Sequence, residues 1–345
     1  MSRKVTANKD FSKLPLRNVE RIAILWVLCG WTFITSRLCC VCIRITYADE
    51  PVWFYHRLSK VGDRVVEKTD KVIEKPTSLT EIHAHVLFDI DDGPSSLEQS
   101  LNLLSVMKAQ GVQRVFCTSH YKSPHFSVEK KTIEQRFEAL SETIDELPGS
   151  YPILKPAAEV RLSPELIDDI RSDDVPTLGE TPYVLIEFPG TNIPEESLNM
   201  VHELKVRGYK PIMAHPERNL EIQHDPQLVD TLVSMDISLQ LTAGCLTKKQ
   251  GKLHPADALA WEILKRGRAA VIASDSHDTK SRPPTLAAAY ENIASELGSE
   301  TANMLKMNAN SIWQGQPVEC IPAIVPKRSF PIPFLRNRRE KPSRR

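Results

Sequence analysis

Nine side chains able to hold a metal ion fall at the ends of short apolar runs. His83 and His85 close the first, in Glu81-Ile82-His83-Ala84-His85. Two residues apart on a strand, both imidazoles point to one face. Asp89, Asp91 and Asp92 follow in the loop FDIDDGP. His120 ends a second run, Glu159 a third, Glu187 a fourth and His215 a fifth, while Asp275 and His277 follow the seventh, again two apart. Imidazole together with carboxylate suits zinc, manganese or iron. No thiolate joins the set, which disfavours a structural zinc site. A lone His at a strand end is more often a surface or hydrogen-bonded residue. His56, His125, His202, His224 and His254 are read that way. Glu187 differs, because it interrupts the apolar run Leu-Ile-Glu-Phe, where an unpaired carboxylate is costly.

These groups meet only if the fold brings the run ends to one face. Candidate strands are Leu79–His85, Val112–Ser119, Ile153–Glu159, Tyr183–Phe188, Lys210–His215, Ile237–Leu241 and Ala269–Ser274. Helical patterns lie between them, at Ser96–Gln110, Val128–Leu147, Pro164–Ile170, Glu195–Arg207, Pro226–Met235 and Pro255–Arg266. Several open with Pro, whose missing N–H costs nothing in a first turn. Seven β/α units in about 240 residues suggest a closed or nearly closed parallel (β/α)7 barrel of the TIM type. In such a barrel the strand ends converge on the face that carries active sites. An open doubly wound sheet is the competing architecture. No glycine-rich loop follows the first strand, which counts against a dinucleotide fold.

The 345 residues carry 44 Lys+Arg and 44 Asp+Glu, with 41% hydrophobic and 26% charged residues, so the chain is neither disordered nor a polytopic membrane protein. Its charge is uneven. Residues 1–21 hold six basic and two acidic residues, and residues 327–345 hold eight basic residues against Glu340. The formal total is zero, so residues 22–326 carry −11 and an acidic body is flanked by basic tails. An acidic body argues against nucleic acid, while basic tails can touch anionic lipid. The expected organisation is an N-terminal extension over residues 1–76, a barrel over 77–316 and a basic, Pro-rich tail over 317–345.

Ile22–Ser36 has no charge but is shorter than the ~20 residues of a spanning helix. With Arg37 snorkelling, Ile22–Ile43 could still insert. A secretory signal and a start codon assigned too early are the other two readings. Val61–Lys75 reads as a surface helix or stalk ending at Pro76. Four of the seven cysteines lie in this region, at Cys29, Cys39, Cys40 and Cys42. None of the seven is followed six positions later by Arg, which excludes the thiol-based tyrosine phosphatase loop. Cys117 and Cys245 read as small core residues.

The segments EIHAHVLFDIDDGPSSLEQS, TSHY, AAEVRL, VPTLGETPYVLIEFP, MAHPERN, LQLTAGCLTKKQG and ASDSHDTKSRPP together resemble the PHP (polymerase and histidinol phosphatase) superfamily. The resemblance is nearest to its bacterial capsule and exopolysaccharide tyrosine-protein phosphatases. It covers about residues 79–315 and leaves out both ends. HxH alone is weak, but its combination with IDDGP, IEF, AHPER and SDSH…RPP is specific. Glu81 departs from the Asp usual in the family at that position, which is not expected to bind metal directly.

The resemblance implies a distorted β/α barrel with up to three divalent metals, manganese first, with iron, zinc and magnesium as the other candidates. It assigns His83, His85, Glu159 and Asp275 to one metal. Asp92, His120 and His277 would hold a second. Glu187 and His215 would hold a third, with Glu159 bridging. It further implies a cytoplasmic phosphatase of phosphotyrosine proteins, with a tyrosine autokinase as substrate. Membrane contact through residues 22–43 and the basic tails would fit that partner. Arg218 and Arg282 are the candidate phosphate clamps, since a guanidinium fork can hold two oxygens. A small-molecule phosphatase of the histidinol-phosphate type is the runner-up. A membrane-tethered, non-catalytic interaction protein is the third reading.

Overall fold

The structure is a computed structural model. It describes the backbone of residues 39–47, 50–61 and 64–67, and backbone with side chains over 78–126, 128–148, 151–247 and 254–323. Its contacts divide the chain into two units, Met1–Glu74 and Lys75–Arg345.

In the first unit, β1 (Cys39–Tyr47), β2 (Glu50–Val61) and β3 (Arg64–Glu67) form an antiparallel sheet in that order. Residues 22–38 lie outside the described residues. Residues 39–43, expected to end an inserting segment, are instead extended and paired with β2. Arg64–Glu67 is likewise a strand rather than part of a helix, and residues 68–75 lie outside the described residues. Both stretches are rich in β-branched residues, which favour the pleated state. Among the described residues, no helix is long and apolar enough to cross a membrane.

The second unit is built on seven parallel strands: β4 (Leu79–Ala84), β5 (Val112–Tyr121), β6 (Ile153–Arg161), β7 (Tyr183–Glu187), β8 (Lys210–Ala214), β9 (Ser238–Thr242) and β10 (Val271–Ala273). They lie side by side in sequence order. All seven expected strands are present. Most read as apolar runs because a parallel strand is buried on both faces, whereas β6 is buried only over residues 157–160. The ends of the sheet meet beyond the last strand. Asp275 N donates to His83 O at 2.8 Å, and His85 N donates to Ser276 O at 2.9 Å. The barrel thus closes irregularly, at the residues expected to bind metal.

Helices α1 (Leu97–Ala109), α2 (Lys130–Glu146), α3 (Ile167–Ser172), α4 (Glu195–Val206), α5 (Leu220–His224), α6 (Leu228–Ser234) and α7 (Pro255–Lys265) fill the connections. Gly111 ends α1 at φ +87°, a conformation that suits glycine. Helices α8 (Leu286–Leu297) and α9 (Ser299–Trp313) follow the last strand and were not expected. From α9, Ile312 and Trp313 join Ile82, Phe116 and Leu185 in the core within the sheet.

Beyond α9 the chain runs under the strand starts. Lys155 Nζ donates to Trp313 O at 2.9 Å and Tyr183 Oη to Gln316 O at 2.7 Å. Asn308 donates to Glu319 O and accepts from Glu319 N, both at 2.8 Å. Gly267 lets this strap approach: a Cβ there would sit 2.4 Å from Ile321 O.

Candidate metal centre

The strand-end face gathers all nine expected metal-binding residues and both expected arginines. His83 belongs to β4, and His85 follows its last residue. His120 lies near the end of β5, Glu159 near the end of β6, and Glu187 is the last residue of β7. His215 follows β8, and Asp275 and His277 follow β10. His215 and Asp275 both take left-handed backbone, at φ 35° and 51°. Non-glycine residues are rarely held there, and such strain clusters at functional sites.

The inner donors face one another. His83 Nε2 and His85 Nε2 are 3.3 Å apart. Glu159 Oε2 lies 3.5 and 3.3 Å from these nitrogens, and Asp275 Oδ1 lies 3.3 and 3.5 Å from them. Two donors bound to one ion at about 2.1 Å and a tetrahedral angle lie about 3.4 Å apart, so the spacing fits.

The proton positions fit as well. His83 Nδ1 is 2.9 Å from Gln240 Oε1, and His85 Nδ1 is 2.9 Å from Asp91 Oδ2. His277 Nδ1 is 3.0 Å from the carbonyl oxygen of Asp275. Each of these acceptors fixes the proton on Nδ1 and leaves an Nε2 lone pair turned inward. His277 Nε2, His120 Nδ1 and Asp275 Oδ1 are buried and make no hydrogen bond. His277 Nε2 sits 3.0 Å from Asp92 Oδ1, and His120 Nδ1 sits 3.2 Å from Glu159 Oε2, without acceptable hydrogen-bond geometry. Buried polar atoms are seldom left so. Converging lone pairs with no proton between them are what a divalent cation would satisfy.

Three donor groups can be drawn. One is His83, His85 and Glu159, one is His85, Asp92, His120 and His277, and one is His120, Glu159 and Glu187. The second includes the whole expected set of Asp92, His120 and His277, while the first holds three of the four residues expected around one metal and lacks Asp275; His85 is in both. In the third, His120 stands beside Glu187, while His215 Nε2 meets Glu159 Oε1 at 2.8 Å.

The adjacent aspartates divide their work. Asp91 is turned inward, and its Oδ2 also accepts from His120 N at 3.0 Å while Oδ1 accepts from Gly93 N at 2.9 Å. Asp92 is part-exposed and turns its Oδ1 to His277 and His120. Asp91 thus orients His85, and Asp92 is the one placed to bind metal.

The electrostatics favour ionised acids. Burial pushes the Glu159 carboxyl up, but His83 and the hydrogen bond from His215 outweigh it and hold it well below its ordinary value. Asp275 is held low against burial by His83 and Arg218. Burial pushes the His85 imidazole down, yet Asp91 and Glu159 hold it well above its ordinary value. Asp91 and Glu159 thus draw a proton onto His85, and a bound cation would take that proton's place.

Arg218 and Arg282 stand at the mouth. Arg218 Nη1 donates to Asp275 Oδ2 at 2.5 Å, and Arg282 Nη2 donates to the same oxygen at 2.8 Å. Arg282 Nη1 also donates to Asp92 Oδ2 at 3.0 Å. Both line a cavity of about 240 Å³ with His120, Glu159, Glu187 and His215. A hollow of about 370 Å³ between Pro182, Arg207 and Tyr209 holds no such donors; its Asp173 is already paired with Arg207.

Sequence reasoning missed two polar partners, Arg161 and Gln240, and left open the role of a third, Glu81. Arg161 Nη1 lies 3.1 Å from Glu187 Oε2 and donates to Phe188 O. It stands two residues after Glu159, a period-2 signal that could have found it. Gln240 interrupts an apolar run as Glu187 does. Glu81 accepts the backbone N–H groups of Ser274 and His83, so it ties the closure together and contacts no donor group directly.

Comparison with known proteins gives a consistent picture. Residues 79–314 match the family described as capsular polysaccharide synthesis, CpsB/CapC. The chain is 29% identical over 241 residues to tyrosine-protein phosphatase YwqE of Bacillus subtilis, covering 70% of this chain and 93% of that protein. It is 30% identical over 234 residues to tyrosine-protein phosphatase CpsB of Streptococcus pneumoniae, covering 66% and 94%. A solved structure from work on YwqE and CpsB, described as metal-dependent tyrosine phosphatases, superposes with a TM-score of 0.66 at 29% identity. It covers 72% of this chain and all of that one. With the family matched across the whole described barrel, this chain belongs to the CpsB/CapC family of capsular polysaccharide synthesis.

Proposed function

We propose that this chain is a metal-dependent protein-tyrosine phosphatase. It hydrolyses phosphotyrosine on a protein substrate, a tyrosine autokinase that controls capsule or exopolysaccharide synthesis. The observation that carries the reading is the convergence of unpaired imidazole and carboxylate atoms beneath two arginines. The relatives' names supply the substrate class. The complete donor set argues against a non-catalytic tether.

His83, His85, Asp92, His120, Glu159, Glu187, His215, Asp275 and His277 hold up to three divalent ions, with manganese as the expected metal. When bound, such ions supply Lewis acidity and a hydroxide near neutral pH for in-line attack at phosphorus. Arg218 and Arg282 grip the phosphoryl oxygens. Asp275 Oδ2 anchors both guanidiniums, and each keeps further N–H groups to offer. Their fixed positive charge stabilises the charge that grows on the phosphoryl group. Arg161 holds Glu187 in place from the side.

The catalytic body spans residues 77–316 together with the strap of residues 317–323 that packs under it, with the extension before it and the rest of the basic tail after it. The protein works in the cytoplasm, and its basic tails provide its membrane contact.

The test is phosphate release by the purified full-length chain with manganese. A phosphotyrosine peptide and histidinol phosphate are compared at equal concentration. Preferred turnover of the peptide, lost on chelation, supports the reading. Preference for histidinol phosphate makes the small-molecule reading the better one, and turnover that survives chelation removes both.

A further inference from the structure

Gln240 is fully buried in the middle of β9, between Leu239 and Leu241. Its Oε1 lies 2.9 Å from His83 Nδ1, from the opposite side of the closure. Its Nε2 is buried and has no partner. A buried polar group left without a partner is costly, so packing alone does not account for an amide here. A leucine would fill similar space without the unpaired N–H.

The chemistry of the contact accounts for it. An imidazole carries one proton when neutral, and the acceptor at one nitrogen decides where that proton sits. With the amide oxygen at Nδ1, the proton stays there, and the Nε2 lone pair faces His85, Glu159 and Asp275. Without that acceptor, the proton can move to Nε2 and donate to Asp275 Oδ1 or Glu159 Oε2, which blocks the nitrogen.

We propose that Gln240 is a positioning residue for metal binding, holding His83 in the tautomer and ring orientation that present Nε2 to the ion. The two imidazoles of the HxH pair are then backed differently. His85 leans on the charged carboxylate of Asp91, and His83 leans on a neutral amide. A charged partner makes an imidazole the stronger donor. His83 is therefore the weaker of the two, and a carboxylate at position 240 would strengthen it. The inference rests on the metal-centre reading above.

The test is a chelator-competition titration of manganese into metal-free, full-length protein carrying Gln240→Leu or Gln240→Glu. Thermal unfolding of each metal-free variant serves as the control for folding. Loss of the acceptor in Q240L weakens binding ten- to hundred-fold. Q240E keeps an acceptor and binds at least as tightly as the wild type. A purely structural role gives the opposite order, since a buried charge disturbs packing more than leucine does. Q240L within twofold of the wild type, or Q240E no tighter than Q240L, overturns the proposal. Should Q240L not fold, Gln240→Met takes its place under the same criteria. A wild type that binds no divalent ion overturns the metal-centre reading itself, and the proposal falls with it.

Discussion

Arg218 donates to one oxygen of Asp275 while the other oxygen of that carboxylate turns to His83, 3.3 Å away. One buried acid thus links the candidate phosphate clamp to the candidate metal centre. Removing either side disturbs the other.

Arg218→Ala should lower kcat/KM for a phosphotyrosine peptide by about 100-fold, the scale of losing one preorganised charge donor. Arg218→Lys should recover only part of it, because an ammonium cannot reproduce the planar fork. Steady-state kinetics checks both, with metal content measured to show that the centre is still filled. A lysine variant at wild-type efficiency would contradict the clamp.

Asp91→Asn and Asp92→Asn should fail differently. Asn at 91 loosens the hold on His85 and weakens metal binding about 10- to 100-fold without changing the number of ions at saturation. Asn at 92 removes a metal contact and lowers that number by one. Elemental analysis of saturated, desalted protein separates them. Equal stoichiometry in the two variants would contradict the division of labour.

Ending the chain after residue 316 should destabilise the barrel by about 2–4 kcal/mol, since it strips buried Ile321 and the Glu319 hydrogen bonds from Asn308. Ending it after 323 keeps Ile321 and those hydrogen bonds, so that truncation should unfold at higher denaturant than the one ending at 316. Denaturant melts of the two truncations provide the comparison. Equal midpoints would mean that the strap contributes nothing.

Burial raises the Glu81 carboxyl to about 7 from 4.5, against the hydrogen bonds from Ser274. The unfolded chain releases this proton near 4.5 and the folded protein near 7. Between those values the unfolded state holds fewer protons, so stability falls as pH rises, then levels off once both forms are ionised. Glu81→Gln removes that loss. Its stability relative to wild type should climb by about 3 kcal/mol across this window in chelated protein. Urea titrations from pH 4 to 8 measure the difference, and a pH-independent gap would contradict the raised carboxyl.

Much of this was legible in the sequence because each relevant residue breaks a pattern. Tyr183–Glu187 reads as a buried strand by its apolar run, and as a site by the acid that ends it. The split between Asp91 and Asp92 was not legible. Both are acids in one loop, and only the position of β5 decides which turns inward. Glu81 and Ser274 meet across 193 positions, so sequence spacing carries no trace of that hydrogen bond. Helix α8 completes the seventh β/α unit although no range was expected for it, and α9 falls beyond that rhythm, which gives no cue to it. Residues 39–43 misled for a physical reason: an uncharged apolar run, here three cysteines with Val41 and Ile43, suits a paired strand as well as a bilayer.

The most direct test is anomalous diffraction from crystals of the manganese-loaded protein, recorded at the manganese edge. We expect peaks among His83, His85, Glu159 and Asp275, and around Asp92, His120 and His277, beneath Arg218 and Arg282. An ordered barrel with these side chains in place and no anomalous peak between them would contradict the metal centre, and with it the proposed hydrolysis.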